Sequence, residues 1–143
     1  MRRHTNRSAA TTVETALVIS IALLFMFAIF EYGRYVMFRQ IVENAAREGA
    51  RQAVVNVSSQ TTADIQATVT QYMAGQQLTN LSIQVYKADI NTGANVGPWT
   101  GAAFGEGIAI EVTGDYKSIL PSFGFLKSTS TIRAKAIMRC EAN

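Results

Sequence analysis

Sixteen consecutive uncharged residues, positions 15–30, form one apolar block bounded by Glu14 on one side and Glu31 on the other. Three readings of such a block compete. A cleaved secretory signal needs small residues just beyond the apolar run. The residues beyond this one are Glu31, Tyr32, Gly33, Arg34, Tyr35, Val36, Met37 and Phe38, a bulky stretch. A buried core helix is apolar on one stripe, whereas this block is apolar on every face, and the rest of the chain is too small to enclose it. A membrane helix lengthened by its flanks fits both observations. Tyr32, Tyr35 and Phe38 then suit an interfacial aromatic belt.

The helical pattern continues past the block. From Ala10 to about Val57 there is no proline, and the only glycines are Gly33 and Gly49. After Phe38, apolar residues recur at three- and four-residue steps, from Ile41 and Val42 to Val54 and Val57. Glu43 with Arg47 and Glu48 with Arg51 are pairs of opposite charge on a solvated face. A helix over the whole stretch would be about 70 Å long. Ala45, Gly49 and Ala53 place small side chains on one stripe. Such a stripe lets another backbone approach closely, either the chain's own sheet or a second subunit. Residues 58–62 (Ser, Ser, Gln, Thr, Thr) interrupt the pattern with turn and N-cap residues.

The remainder predicts a small α+β domain. Residues 63–77 read as a short helix with Ile65, Val69, Tyr72 and Met73 on one face. Three stretches, 81–86, 108–113 and 131–139, alternate with period two and read as strands. Ile108, Ile110 and Val112 point inward in the second, and Ile132, Ala134, Ala136 and Met138 oppose Arg133, Lys135, Ile137 and Arg139 in the third. Residues 91–107 are glycine-rich around Trp99 and Phe104 and read as a hairpin connection. Trp99 suits either satellite packing or an exposed contact. Residues 116–124, through Leu120 and Pro121, read as an irregular crossing. The expected architecture is α+β: a long amino-terminal helix running into a small antiparallel sheet, with a second short helix. The divisions are a basic leader at 1–9, a transmembrane helix at 10–38, its amphipathic continuation at 39–57 and an extracytoplasmic domain at 58–143.

Composition narrows the chemistry. The net charge is +3, from 13 Lys and Arg against 10 Asp and Glu. The cations do not cluster into a phosphate-binding stripe, so no nucleic acid is expected. The glycine-rich loop lacks the order of a phosphate-cradling motif. The one histidine, His4, stands in the tail, and the one cysteine, Cys140, stands near the carboxyl end. These residues supply no metal site, cofactor, disulfide within the chain, or Ser-His-Asp or Cys-His centre. Cys140 reads as a free thiol in preference to an intermolecular bridge. Glu106, Glu111 and Asp115 lie near a loop without the spacing of a paired acid–base site.

Arg2, Arg3 and Arg7 precede the apolar block with no acid among them, which favours a cytoplasmic amino terminus. Glu14 stands at the mouth of this block. A carboxylate there needs a partner, a route to the interface or a proton.

The order of these features resembles the TadE-like family, the minor pseudopilins of tight-adherence (Tad/Flp) pilus systems. The resemblance is strongest from Ser8 to Ala53 and weakest over 56–107. It rests on Ala9, four residues, Glu14 and the apolar helix. Glu31-Tyr32-Gly33-Arg34 closes that helix, and 44–51 and the terminal strands continue the match. Ala9 stands where the family has Gly, and Thr15 where it has an aromatic residue. The resemblance implies prepilin-type cutting between Ala9 and Ala10, leaving Glu14 as the fifth mature residue. It implies a non-enzymatic subunit in the inner membrane, possessing no cofactor and no small-molecule substrate, that assembles through Glu14 and the Ala45, Gly49, Ala53 stripe. The implied partners are a prepilin peptidase, a sister pseudopilin, the major pilin, inner-membrane platform proteins and membrane lipid. The alternative is a membrane-tethered binding module that reads a ligand through the glycine-rich loop and Trp99.

Overall fold

The computed structural model describes residues 5–55, 57, 59–119 and 128–141, with side chains described from residue 9 onward. Residues 1–4 of the expected basic leader therefore lie outside the described residues and 5–9 belong to α1, and the Leu120-Pro121 part of the expected crossing also lies outside them. The elements run α1 (Thr5–Val55), α2 (Thr62–Tyr72), β1 (Thr79–Ala88), β2 (Asn95–Gly97), β3 (Gly107–Lys117) and β4 (Thr129–Arg139), with a 3-10 turn at Trp99–Gly101. The chain divides into two compact units, Met1–Arg34 and Tyr35–Asn143, and α1 contributes residues to both.

The first unit is the amino-terminal part of α1. Its apolar side chains are exposed all round, Leu17, Phe25 and Ile29 among them. Two hydroxyls turn back onto the helix: Thr15 Oγ1 donates to the Thr11 carbonyl at 2.8 Å, and Ser20 Oγ donates to that of Ala16 at 2.8 Å. A hydroxyl satisfied in this way presents little unmet polarity to an apolar solvent.

The second unit is an antiparallel sheet, ordered β2-β1-β3-β4, with helices on one face. The amphipathic end of α1 contributes Phe38, Val42, Ala46, Ala50 and Val54 to the core. The short helix α2 contributes Ile65 and Val69, followed by Met73. The sheet answers with Ile108, Ile110 and Val112, all fully buried, and with Ile132, Ala134 and Ala136. The expected period-two pattern of these strands is therefore the observed one. On the other face Tyr86, Ala88 and Ala109 form a smaller apolar cluster.

Several expectations are corrected. Phe38 is a core residue and half-buried Tyr35 packs against the same core, instead of forming a belt; both rings meet Tyr116 edge-to-face, with centroids 5.1 and 5.5 Å away. α2 stops at Tyr72 instead of 77, because Ala74 and Gly75 adopt φ of +52° and +75° and reverse the chain. Tyr72 is exposed, unlike the other three residues assigned to its face. The glycine-rich segment contains a fourth strand, β2, pairing with the end of β1. Residues 116 and 117 continue β3 instead of opening an irregular crossing.

Candidate assembly site

The sequence-predicted site residues fall into two groups with different surroundings. Ala9, Ala10 and Glu14 lie along the amino-terminal part of α1, and all three are exposed. The Ala9–Ala10 bond lies within the helix. Glu14 sits one turn beyond Ala10, on a helix whose neighbouring side chains are threonines and then apolar residues. At the far end of the apolar block, Arg34 Nη2 meets Glu31 Oε1 at 3.3 Å, an i,i+3 pair that is largely shielded from solvent. Charge entering the block at that end is thus partly neutralised locally.

Ala45, Gly49 and Ala53 form the second group, and the structure gives this stripe to the chain's own core. Ala45 and Ala53 have no exposed surface, and Gly49 is buried. A Cβ on Gly49 would lie 2.5 Å from Val69 Cγ2 and 3.0 Å from Ile110 Cδ1. The small residues let α1 settle onto α2 and β3 at once. The subunit-contact reading of these three residues is corrected on that ground, and the packing reading replaces it.

The glycine-rich loop is built inward too. Trp99 is 2% exposed, within the main core, and its Nε1 donates to Thr62 Oγ1 at 2.9 Å. An exposed Trp99 contact is corrected accordingly, and the ligand-reading loop of the binding-module alternative loses that residue. Cys140 is buried with Sγ 3.7 Å from the Ala102 carbonyl and 4.0 Å from that of Val54. That thiol behaves as a small packed side chain and presents no surface for an intermolecular bridge.

Sequence reasoning missed a charged cluster on the sheet face opposite the helices. Glu111 accepts from Tyr86 Oη at 3.1 Å and pairs with Arg133 Nη2 at 2.7 Å. Lys135 Nζ lies 5.3 Å from the Tyr86 ring centroid and donates to the Gly93 carbonyl. Burial pushes the Glu111 carboxyl upward, but the hydrogen bonds from Arg133 and Tyr86 and the charges of Arg133 and Lys135 outweigh it, and the group titrates below its ordinary range. Alternation along β4 already placed Arg133 and Lys135 on one face; the cross-strand register that delivers Glu111 to them was the missing information. Glu106, also considered as an acid, bridges to Lys87 at 3.2 Å and accepts from the Ala103 amide at 2.8 Å. Asp115 is held by Asn80 and Thr131. Each of the three acids has a structural partner.

The fold thus defines an α+β, pilin-like protein whose long amino-terminal helix carries a window apolar and long enough to cross a membrane, none of it buried. Residues 9–51 match the model of the TadE-like protein family, the family that the sequence resembles. The matched stretch holds Ala9, Ala10, Glu14, Glu31 and Arg34 together with Ala45 and Gly49. No curated protein and no solved structure matches the chain at a significant level. The match associates the chain with Tad pilus systems, and the exposed helix is compatible with a single-pass membrane anchor.

Proposed function

We propose that the chain is a structural minor pseudopilin of a tight-adherence pilus or secretion machine. In this reading the apolar part of α1, up to about Arg34, spans the inner membrane with the amino terminus cytoplasmic, and from Tyr35 onward the helix is built into the core of an extracytoplasmic domain. The carrying observation is the coincidence of the family match at 9–51 with a helix whose amino-terminal part is apolar and exposed on every side. For a helical segment that is apolar on every face, lipid and neighbouring subunits are the natural surroundings.

Two further steps complete the proposal. A prepilin peptidase cuts between Ala9 and Ala10, freeing an amino terminus one helical turn from Glu14. The Glu14 carboxylate then pairs with the new amino terminus of an adjacent subunit, a sister pseudopilin or the major pilin, and fixes the register of assembly against the membrane platform. Attraction between opposite charges is strong in an apolar medium, and an uncompensated carboxylate there is costly.

The test is the intact mass of the protein extracted from its native membrane, with Ala9→Leu and Glu14→Ala variants alongside. The expected result is loss of residues 1–9 from the parent chain and retention of them in the Ala9 variant. A parent chain of full length in cells with an active peptidase would refute the processing step. Glu14→Ala is expected to remain in the membrane yet fail to co-purify with other pilus subunits. Undiminished co-purification would refute the pairing.

A further inference from the structure

We infer that the free edge of β4 is a docking strand for an extended segment of another protein, one bearing carboxylates on alternate residues. β4 pairs with β3 without a break from Lys117↔Thr129 to Gly107↔Arg139. Just beyond one end of the ladder Ser118 N–H donates to the Ser128 carbonyl at 2.9 Å; just beyond the other, Cys140 N–H donates to that of Glu106 at 2.8 Å. In an antiparallel pair the residues that bond across alternate. The even-numbered residues of β4 therefore point their amides and carbonyls at β3. Thr131, Arg133, Lys135 and Ile137 point theirs away, and among the described residues nothing receives them.

The opposite edge of the sheet is managed. β2 pairs with the end of β1, and Gln66 Nε2 of α2 donates to the Ile83 carbonyl at 2.9 Å. β4 has no proline, no bulge and no covering element among the described residues. Those are three of the usual protections of an edge; the one β4 does have is charge, in Arg133, Lys135 and Arg139, which repels a like-charged strand and admits an acidic one.

Charge chooses the occupant. An added strand would set alternate side chains beside Arg133, Lys135 and Arg139. The intervening ones would extend the helix-covered face beside Ala134 and Ala136. Arg133 is taken by Glu111. Lys135 is held by a carbonyl and a ring face, and neither it nor Arg139 forms an ion pair among the described residues. A second copy paired antiparallel is disfavoured. Centring on Lys135 sets that residue against itself, and centring on Ile137 sets Lys135 against Arg139. Carboxylates alternating with small or β-branched apolar residues satisfy both rows.

The experiment uses the full chain in detergent micelles and a fluorescent ten-residue peptide alternating glutamate with valine, with anisotropy as the readout. In the proposed pairing the glutamate amides face β4 and the valine amides face away. Methylating the glutamate nitrogens is expected to abolish binding, and methylating the valine nitrogens to leave it. Ile137→Pro removes an amide that β3 does not use, so it should abolish binding with the circular dichroism spectrum unchanged. Lys135→Glu with Arg139→Glu should weaken binding about tenfold or more. No binding by the unmodified peptide, equal loss from both methylations, or equal binding of a lysine–valine peptide would overturn the inference. So would self-association of the chain that Ile137→Pro abolishes, which would make a second copy the occupant.

Discussion

Gly49 and Gly33 lie in one helix and make opposite demands. A Cβ at Gly49 would penetrate Val69 and crowd Ile110, whereas a Cβ at Gly33 meets nothing within 4 Å. Gly49→Ala is therefore expected to lower unfolding stability by about 1–3 kcal/mol through overpacking. Gly33→Ala is expected to leave it unchanged or raise it by up to about 1 kcal/mol through helix propensity. Thermal melts of the two variants in the same detergent check both, and equal melting temperatures would contradict the packing argument. Glu111 makes a second residue-level prediction. Its carboxyl titrates below the ordinary range in the folded chain, so its contribution to stability is present above the unfolded value and is lost as pH falls through the folded one. Denaturation midpoints should fall between about pH 5 and about pH 3, where Asp64, Asp89, Glu106 and Asp115 contribute in the same direction. Glu111→Gln should lower the midpoint at neutral pH and flatten part of the acid limb. A limb of unchanged steepness would assign the loss to the other four acids.

At the scale of elements, the start of α2 shows local chemistry sufficing. Thr61 accepts from the Asp64 amide at 3.3 Å, and Asp64 in turn accepts from the Thr61 amide at 2.9 Å. Thr61→Ala is expected to cost about 1 kcal/mol, read as a lower melting temperature with native helix content below the transition. That start was legible because a capping box is written in adjacent residues. The end of α2 was not, because the reversal at Ala74 and Gly75 asks an alanine to take a left-handed conformation, which no propensity suggests. The alternation of β3 and β4 was legible for the same reason as the cap: period two is a local signal. β2 has only three residues and exists through its pairing with Lys87 and Ala88, so its cause lies outside its own residues. Trp99 was ambiguous for a related reason. Its burial depends on Thr62, 37 residues away, offering an acceptor for the indole nitrogen. The small stripe of α1 was equally readable as an inter-subunit surface, since close approach of backbones looks alike from one side. Only Val69 and Ile110 decide it.

At the scale of the whole molecule, one helix carries two different side-chain patterns. Between Glu14 and Glu31 the exposed side chains are apolar, with hydroxyls folded back on the backbone; from Phe38 onward only one face is apolar and that face is buried. The requirements on the two parts are separable, which makes the assembly proposal testable apart from folding. Glu14 is not among the domain's core residues, so Glu14→Ala should leave the melting temperature of the domain unchanged. Gly49→Ala should lower that temperature while leaving membrane insertion and the mass after processing unchanged. If both variants lose co-purification with other pilus subunits, their melts distinguish the causes. Loss with a parental melt marks a contact made by the membrane helix, and loss with a lowered melt marks a domain that no longer folds. A Glu14→Ala chain that melted early would show that this carboxylate serves the chain's own stability, and the pairing with a neighbouring amino terminus would have to be abandoned.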